Sequence, residues 1–261
     1  MKLEARLDDV RAEYLRRMTQ GDSTLLRQVE QYTASHSGKM LRPRILLAAA
    51  ATQGEACLYS RRTLLLAVCV EMLHNASLLH DDVIDHAATR RGQPSVNAHW
   101  NNAVAVLVGD YHLTQIMELL NEVDDRDITC KVNTTVRSMV EAELLAQEIS
   151  GEWKSGRVEE WKSGRVEEWK SGRVYPATMP LCHSSTATMP LYINIIDGKT
   201  ANLFALAAEM GNPVYRDFGL HYGRLFQLRD DIADGDGSPW TAQLIEEEER
   251  AIKQLEFILN I

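Results

Sequence analysis

The chain has 261 residues, of which 45% are hydrophobic and 25% are charged, and this composition supports a sizeable core. The formal net charge of −9 argues against a nucleic-acid partner, because no general positive field is present to hold a phosphate backbone. The charged N-terminal segment lacks the apolar core of a signal peptide, and no apolar run approaches the roughly 20 residues that a bilayer span needs. We therefore expect a cytoplasmic protein without a transmembrane segment.

Apolar residues recur with helical period through almost the whole chain. The predicted helices cover 2–18, 23–35, Leu41–Thr52, 60–86, about 97–121, about 127–149, about 191–210, 214–234 and 240–259. Gly92-Gln93-Pro94 breaks the pattern, and no alternating run is long enough to predict a strand. The sequence therefore predicts an all-α protein, in which a single domain over residues 1–261 forms a helical bundle around a deep central cavity.

One segment departs from this pattern. Residues 152–174 repeat the octad EWKSGRVE, and ATMP occurs at 177–180 and again at 187–190. A period of eight fits neither a heptad seam nor a known solenoid unit, and the glycine in every octad disfavours a continuous helix. We predict a repetitive surface insertion at about 151–190, either mobile or recently duplicated, and assign it no chemistry.

Two clusters of aspartates carry the strongest chemical signal. They are Asp81-Asp82-x-x-Asp85 and, about 150 residues later, Asp230-Asp231-x-x-Asp234. This spacing puts two carboxylates one helical turn apart on one face, with a third beside them. The repulsion costs stability unless a cation neutralises it, and oxygen-only clusters suit Mg²⁺, which completes its shell with water and phosphate oxygens. One such cluster alone is more often a solvated acidic face, at roughly three to one, but the pair indicates two facing walls of a metal–diphosphate site.

Together with the loop Gly38-Lys39-Met40-Leu41-Arg42-Pro43 and the pair Lys199-Thr200, these clusters resemble the trans-isoprenyl diphosphate synthases. This family of head-to-tail prenyltransferases includes the farnesyl, geranylgeranyl and longer polyprenyl diphosphate synthases, and the resemblance covers roughly residues 25–150 and 190–236. It implies an isoprenoid-synthase fold, a homodimer, and a Mg²⁺-dependent condensation of isopentenyl diphosphate with an allylic diphosphate. The expected product is a geranylgeranyl or longer polyprenyl diphosphate.

Position by position, the resemblance implies three groups of site residues. The diphosphate of isopentenyl diphosphate would be held by Lys39, Arg42, His74 and Arg91. The allylic diphosphate or the developing cation would contact Arg90, Lys199, Thr200 and Gln227, of which the first three would act in catalysis. About three Mg²⁺ ions would be bound by Asp81 and Asp85, with Asp82 in support, and by Asp230, with Asp231 and Asp234 beside it.

Several of these residues carry little signal alone. His74 by itself would more often be an interior histidine, at roughly two to one, and Lys199-Thr200 would be an ordinary exposed pair. Gln227 alone indicates nothing. Arginine offers paired donors to phosphate and lysine a point charge, so the joint occurrence of these residue types favours a diphosphate site.

Product length is predicted from the residues just before the first aspartate cluster. In the family the growing tail passes these positions, which here are Ala76 and Ser77, five and four residues before Asp81. Five helical residues span about 7.5 Å, a little more than one isoprene unit. Small side chains there leave the path open, so we predict a product of geranylgeranyl length or longer.

The chain also departs from the family pattern. The usual Gly-Gly-Lys-Arg loop reads Ser37-Gly38-Lys39-Met40, and no lysine follows the second cluster until Lys253. The Gly-Glu-x-x-Gln pattern of the middle helix appears only as Ala142-Glu143-Leu144-Leu145-Ala146-Gln147.

Three alternatives stay open at this point. A class I terpene cyclase shares the fold and the first aspartate motif, but it does not need an isopentenyl diphosphate site. A non-catalytic subunit of a heteromeric prenyl synthase generally loses aspartates from one cluster, and both clusters are complete here. The third alternative is a helical scaffold protein without catalytic function, for which the positions of the basic residues relative to the aspartate clusters would be a coincidence.

Overall fold

The computed structural model describes residues 2–35, 38–155, 189–235 and 241–256, and helices account for most of them. The longer helices are α1 (Lys2–Met18), α2 (Thr24–Ser35), α3 (Leu41–Ala51), α5 (Arg61–Ile84), α7 (Asn102–Val123), α8 (Arg126–Ser155), α9 (Met189–Ile196), α10 (Asn202–Gly211), α11 (Arg216–Asp234) and α12 (Thr241–Glu256). The short ones are α4 (Glu55–Leu58) and α6 (Val96–His99), with a 3₁₀ turn at Pro213–Tyr215. The prediction of an all-α fold is confirmed.

Two local features were not predicted. The helix expected to begin near residue 97 is interrupted, because Asn101 accepts a hydrogen bond of 2.9 Å from the Val104 amide and so starts α7 as its N-cap. Between α5 and α6, the strands β1 (Thr89–Arg90) and β2 (Gln93–Pro94) pair antiparallel. These strands are only two residues long, too short for an alternating pattern to reveal.

A further difference lies between α9 and α10. Here Asp197–Ala201 forms a π-helical turn, where the sequence predicted an uninterrupted helix over about 191–210. Single π turns of this kind occur frequently at functional sites. The predicted insertion at 151–190 lies outside the described residues except at its ends, where the backbone of 151–155 completes α8 and that of 189–190 begins α9.

The chain forms two compact units, one made of Met1–Cys130 with Ala207–Tyr215 and the other of Lys131–Leu206 with Arg216–Ile261. In the first unit, α5 packs against α1, α3 and α7, and one apolar cluster joins α2, α5 and α7 through Val29, Leu79 and Val108. In the second unit, α11 packs against α12 and the π turn, over a core that includes Ile196, Ala201, Leu228 and Leu244. The expectation of a single domain stays a prediction.

Two of the described helices, α5 and α7, are long and apolar enough to cross a membrane by length and composition. Within the protein, 67% of the apolar window of α5 and 44% of that of α7 are buried. A core helix passes the same test as a membrane span, and α5 packs against α1, α3 and α7. The expectation that the chain has no transmembrane segment stays a prediction.

Candidate active site

The first unit gathers basic side chains from three elements. Arg42 comes from the first turn of α3 and is 8% exposed, His74 is half-buried on α5, and Arg91 lies in the β1–β2 turn. The Arg91 guanidinium packs directly on the loop before α3, since a Cβ on Gly38 would lie 2.6 Å from Arg91 Nη2. A side chain at position 38 would therefore displace the Arg91 guanidinium, and Lys39 follows Gly38 as an exposed residue.

The electrostatic influence of these cations on one another indicates that they lie close together. Burial lowers the pKa of His74 well below its usual value, and the charges of Arg42, Arg91 and Arg90 lower it further. Burial also lowers the pKa of Arg42 to about 10, with Arg91 contributing repulsion and Glu71 opposing it. Like charges held this close together are costly unless an anion joins them. Four of the predicted diphosphate ligands, Arg42, His74, Arg90 and Arg91, thus lie near one another and form a candidate anion site, although Arg90 is also paired with Asp82.

Glu71 is a member of this cluster that the sequence did not reveal. It lies one turn before His74 on α5 and is 5% exposed. Burial raises the pKa of the Glu71 carboxyl, while Arg42, Arg91 and Arg11 act to lower it. Its Oε2 atom has no hydrogen-bond partner among the residues that the structure describes. Glu71 therefore supplies buried negative charge next to the arginines.

A cavity of about 140 Å³ lies in the first unit beside this cluster. Arg90, Arg91 and Glu71 line it, as do Tyr14 and Asn75, whose side chains are joined by a hydrogen bond of 3.2 Å from Asn75 Nδ2 to Tyr14 Oη. Neither Ala76, which is 2% exposed, nor the half-buried Ser77 lines the cavity. Their role in setting product length stays a prediction.

The first aspartate cluster lies at the C-terminal end of α5, and its three members differ in solvent exposure. Asp81 is half-buried and Asp85 exposed, whereas Asp82 is 3% exposed. Arg90 donates to Asp82 Oδ1 from Nε, at 2.9 Å, and from Nη2. Asp82 therefore anchors the β1–β2 hairpin to α5, and the predicted contact of Arg90 with the allylic diphosphate stays a prediction.

The second cluster, at the C-terminal end of α11, repeats this division. Asp230 and Asp234 are exposed and Asp231 is 5% exposed. The Asp231 carboxylate accepts a hydrogen bond at each oxygen, from Gln227 Nε2 at 2.8 Å and from Tyr192 Oη at 2.5 Å. In both clusters the middle aspartate is thus a buried anchor, which favours its outer neighbours as metal ligands.

The donor set fits Mg²⁺ bound together with a phosphate. Both clusters lie at helix C-termini, where the helix dipole disfavours carboxylates and a cation would offset the cost. Among the described residues, no group of three or more acidic, histidine or cysteine side chains forms a self-sufficient metal site. Mg²⁺ commonly accepts one or two carboxylates and completes its shell with phosphate and water. The predicted facing of the two clusters stays a prediction.

The π turn presents the pair Lys199-Thr200 within the second unit. Lys199 Nζ lies 2.5 Å from Glu143 Oε2 on α8, and Thr200 Oγ1 donates a hydrogen bond of 2.8 Å to Gln227 Oε1 on α11. Gln147 donates in turn to Glu143, at 3.1 Å. Glu143 and Gln147, the two polar residues of the Glu-x-x-x-Gln pattern of α8, thus hold Lys199 in place. Gln227 links Thr200 to the second aspartate cluster.

Comparison with known proteins identifies relatives of this chain. The family model for polyprenyl synthetases matches residues 23–243. An all-trans-nonaprenyl-diphosphate synthase (geranyl-diphosphate specific) from Rhodobacter capsulatus is 33% identical over 219 residues, which are 80% of this chain and 57% of the relative. The chain therefore spans little more than half the length of this curated relative.

Solved structures give the same fold. A decaprenyl diphosphate synthase from Rhodobacter capsulatus superposes with a TM-score of 0.72 and 27% identity, over 89% of this chain and 64% of the other. A polyprenyl synthase from Caulobacter crescentus CB15, complexed with calcium and isoprenyl diphosphate, also has a TM-score of 0.72, with 29% identity over 91% and 66% of the two chains.

Proposed function

Because the chain belongs to the polyprenyl synthetase family, we propose that it is a trans-prenyltransferase that condenses isopentenyl diphosphate head-to-tail with an allylic diphosphate. The observation that carries this proposal is the candidate anion site of the first unit, where the charges of Arg42 and Arg91 both act on His74 and Arg91 lies against Gly38. A terpene cyclase binds one diphosphate and has no use for a second, metal-independent anion site. The set of cations therefore favours the synthase.

In the proposed reaction the allylic C–O bond breaks and its electron pair leaves with the diphosphate. Mg²⁺, when held by Asp81, Asp85, Asp230 and Asp234, would supply Lewis-acid stabilisation of that negative charge. Lys199, which keeps two further N–H donors beside its contact with Glu143, would donate to the departing diphosphate, as would Thr200 once its hydroxyl turns from Gln227. The arginine cluster holds isopentenyl diphosphate so that its double bond attacks the allylic cation, and the released diphosphate takes the proton that is then lost.

The test is incubation with isopentenyl diphosphate and either geranyl or farnesyl diphosphate, with and without Mg²⁺, followed by chromatography of the products. We expect longer prenyl diphosphates only when Mg²⁺ is present. The variant Arg42→Met should raise the KM for isopentenyl diphosphate more than that for the allylic substrate. Cyclic hydrocarbons from the allylic substrate alone would identify a cyclase, and absence of all products would contradict the proposal.

We also propose a product of geranylgeranyl length or longer. The small residues at Ala76 and Ser77 support it, as do the nonaprenyl and decaprenyl products in the names of two relatives. Ala76→Phe should shorten the product, although overpacking a site that is 2% exposed should also cost about 1–3 kcal/mol of stability. Ser77→Phe, at a half-buried position, should shorten the product at a smaller cost. Unchanged product length in both variants would refute this placement of the tail.

A homodimer is proposed on the basis of α7. Its exposed face carries Val106, Leu107 and Met117, of which the last two are 67% and 65% exposed, and exposed apolar patches of this kind favour association. Light scattering should give twice the chain mass for the wild type and the monomer mass for Leu107→Asp/Met117→Asp. A monomeric wild type would contradict the proposal. A cytoplasmic location is proposed from the sequence alone.

A further inference from the structure

The π turn that carries Lys199 and Thr200 is held by an ion pair outside the predicted site. Arg224, on α11, forms a two-pronged contact with Asp197, the first residue of the turn. Its Nε donates to Asp197 Oδ1 at 2.6 Å and its Nη2 to Asp197 Oδ2 at 2.7 Å. This bidentate geometry is the strongest and most directional form of an arginine–carboxylate contact.

The same guanidinium reaches a third element. Arg224 Nη1 lies 3.5 Å from Glu248 Oε1 on α12, and the other Glu248 oxygen is paired with His221 at 2.5 Å. The side chains of Arg224 and Asp197 are only 19% and 22% exposed, so solvent screens the contact less than it would a surface pair. Asp197 also raises the pKa of Arg224. The ion pair therefore fixes the π turn to α11 and, through Glu248, to α12.

The opposite side of the turn is fixed by close packing. A Cβ on Gly198 would lie 2.4 Å from the Ala142 Cβ of α8. The turn is thus held between α8 on one side and the Arg224 contact on the other. A π turn contains one more residue than an α-turn and therefore rotates the following side chains about the helix axis. Loss of the Arg224 contact would leave one side of the turn unsupported, so the turn would open more often and hold Lys199 and Thr200 less firmly against Glu143 and Gln227.

We propose that Arg224 and Asp197 are positioning residues that hold the π turn in the register in which Lys199 and Thr200 meet the allylic diphosphate. Neither residue is assigned a substrate contact. The inference rests on the proposed function for its kinetic consequence, but the ion pair and the π turn exist independently of it.

The kinetic test compares Arg224→Met with Glu249→Gln in the full chain. Glu249→Gln is the matched control, because Glu249 pairs with the exposed Arg229 across the same two helices, at 2.6 Å. We expect Arg224→Met to raise the KM for the allylic diphosphate roughly tenfold or more, to leave the KM for isopentenyl diphosphate unchanged, and Arg224→Lys to fall between. The double variant Arg224→Met/Asp197→Asn should be no worse than the worse single variant. A rise in the KM for isopentenyl diphosphate as large as that for the allylic diphosphate, or additive effects of the two substitutions, would overturn the inference.

A second readout does not depend on catalysis. Hydrogen–deuterium exchange of the amides at 197–201 should be faster in Arg224→Met than in the wild type and unchanged in Glu249→Gln. If the wild type condenses no substrates, the proposed function fails, and this exchange measurement alone decides whether Arg224 holds the turn. Equal exchange in Arg224→Met and the wild type would reject the inference even if the enzyme is active.

Discussion

Gln227 and Asp231 lie one turn apart on α11, and Gln227 Nε2 donates a hydrogen bond of 2.8 Å to Asp231 Oδ1. With Tyr192 donating to the other oxygen, the carboxylate is committed to two donors. Asp231→Asn would place an amide NH₂ against one of them, so we expect a loss of about 1–3 kcal/mol in the free energy of unfolding.

Asp230→Asn is the matched comparison, since Asp230 is exposed on the same helix. It should change stability by no more than about 0.5 kcal/mol but raise the Mg²⁺ concentration needed for activity. Urea unfolding and Mg²⁺ titration of the rate measure the two effects. Equal stability of the two variants would contradict the division between buried and exposed aspartates.

His74 predicts a pH dependence of stability. The folded protein holds the pKa of His74 well below its ordinary value, through burial and through Arg42, Arg91 and Arg90, whereas the unfolded chain protonates it near pH ~6.5. The unfolded state therefore binds more protons below about pH 6.5, and stability is lost as the pH falls through that window. Urea unfolding at several pH values from 7.5 to 5.5 should show a shallower decline for His74→Gln than for the wild type. Identical slopes would count against a buried neutral imidazole.

Glu71 predicts a link between stability and anion binding. Glu71→Gln keeps the shape but removes the carboxylate that opposes the repulsion between Arg42 and Arg91. At pH 8 and without anions, we expect the variant to lose about 1–3 kcal/mol of unfolding free energy. Inorganic pyrophosphate should then raise the melting temperature of the variant more than that of the wild type, because it replaces the missing charge.

Two outcomes of that experiment are informative in different ways. An equal rise in both proteins would show that Glu71 does not balance the arginines. No rise in the wild type would instead count against the diphosphate site itself.

Gly198 predicts a steric effect on α8. A methyl group at this position would lie 2.4 Å from the Ala142 Cβ and 3.2 Å from the Ser138 carbonyl oxygen, so Gly198→Ala should cost about 1–3 kcal/mol through overpacking. Removing the opposing methyl in Gly198→Ala/Ala142→Gly should restore part of this loss, measured by urea unfolding. A double variant that is less stable than the sum of its parts would place the strain elsewhere.

The helices could be predicted from sequence because their apolar period is local. The structure confirms α1 at Lys2–Met18, and α11 ends at Asp234 as predicted. The break at Asn101 was missed because Asn can cap a helix or lie within one, and apolar period continues across it. The π turn was missed because one extra residue scarcely disturbs the spacing of the neighbouring apolar positions.

The site divides in a similar way. Spacing identified both aspartate clusters, but it could not separate Asp82 and Asp231 from their exposed neighbours, since burial depends on Arg90 and Tyr192, which lie 8 and 39 residues away. Glu71 and the Arg224–Asp197 pair were missed for the same reason. A clue to Glu143 was present in the Glu-x-x-x-Gln pattern of α8, but its partner Lys199 is distant in sequence.

The β1–β2 turn holds Arg91 in an unfavourable backbone conformation. Its backbone has φ 54 and is followed by Gly92 with φ 76, the signs of a type I′ turn, for which Asn-Gly is the preferred pair. An arginine in this left-handed conformation lowers the stability of the folded protein by on the order of 1 kcal/mol. Arg91→Asn should therefore melt at a higher temperature while binding pyrophosphate more weakly, and a lower melting temperature would contradict this. Thermal stability and pyrophosphate affinity therefore place opposite demands on residue 91. Selecting variants for thermal stability alone should favour substitutions of Arg91 that weaken diphosphate binding.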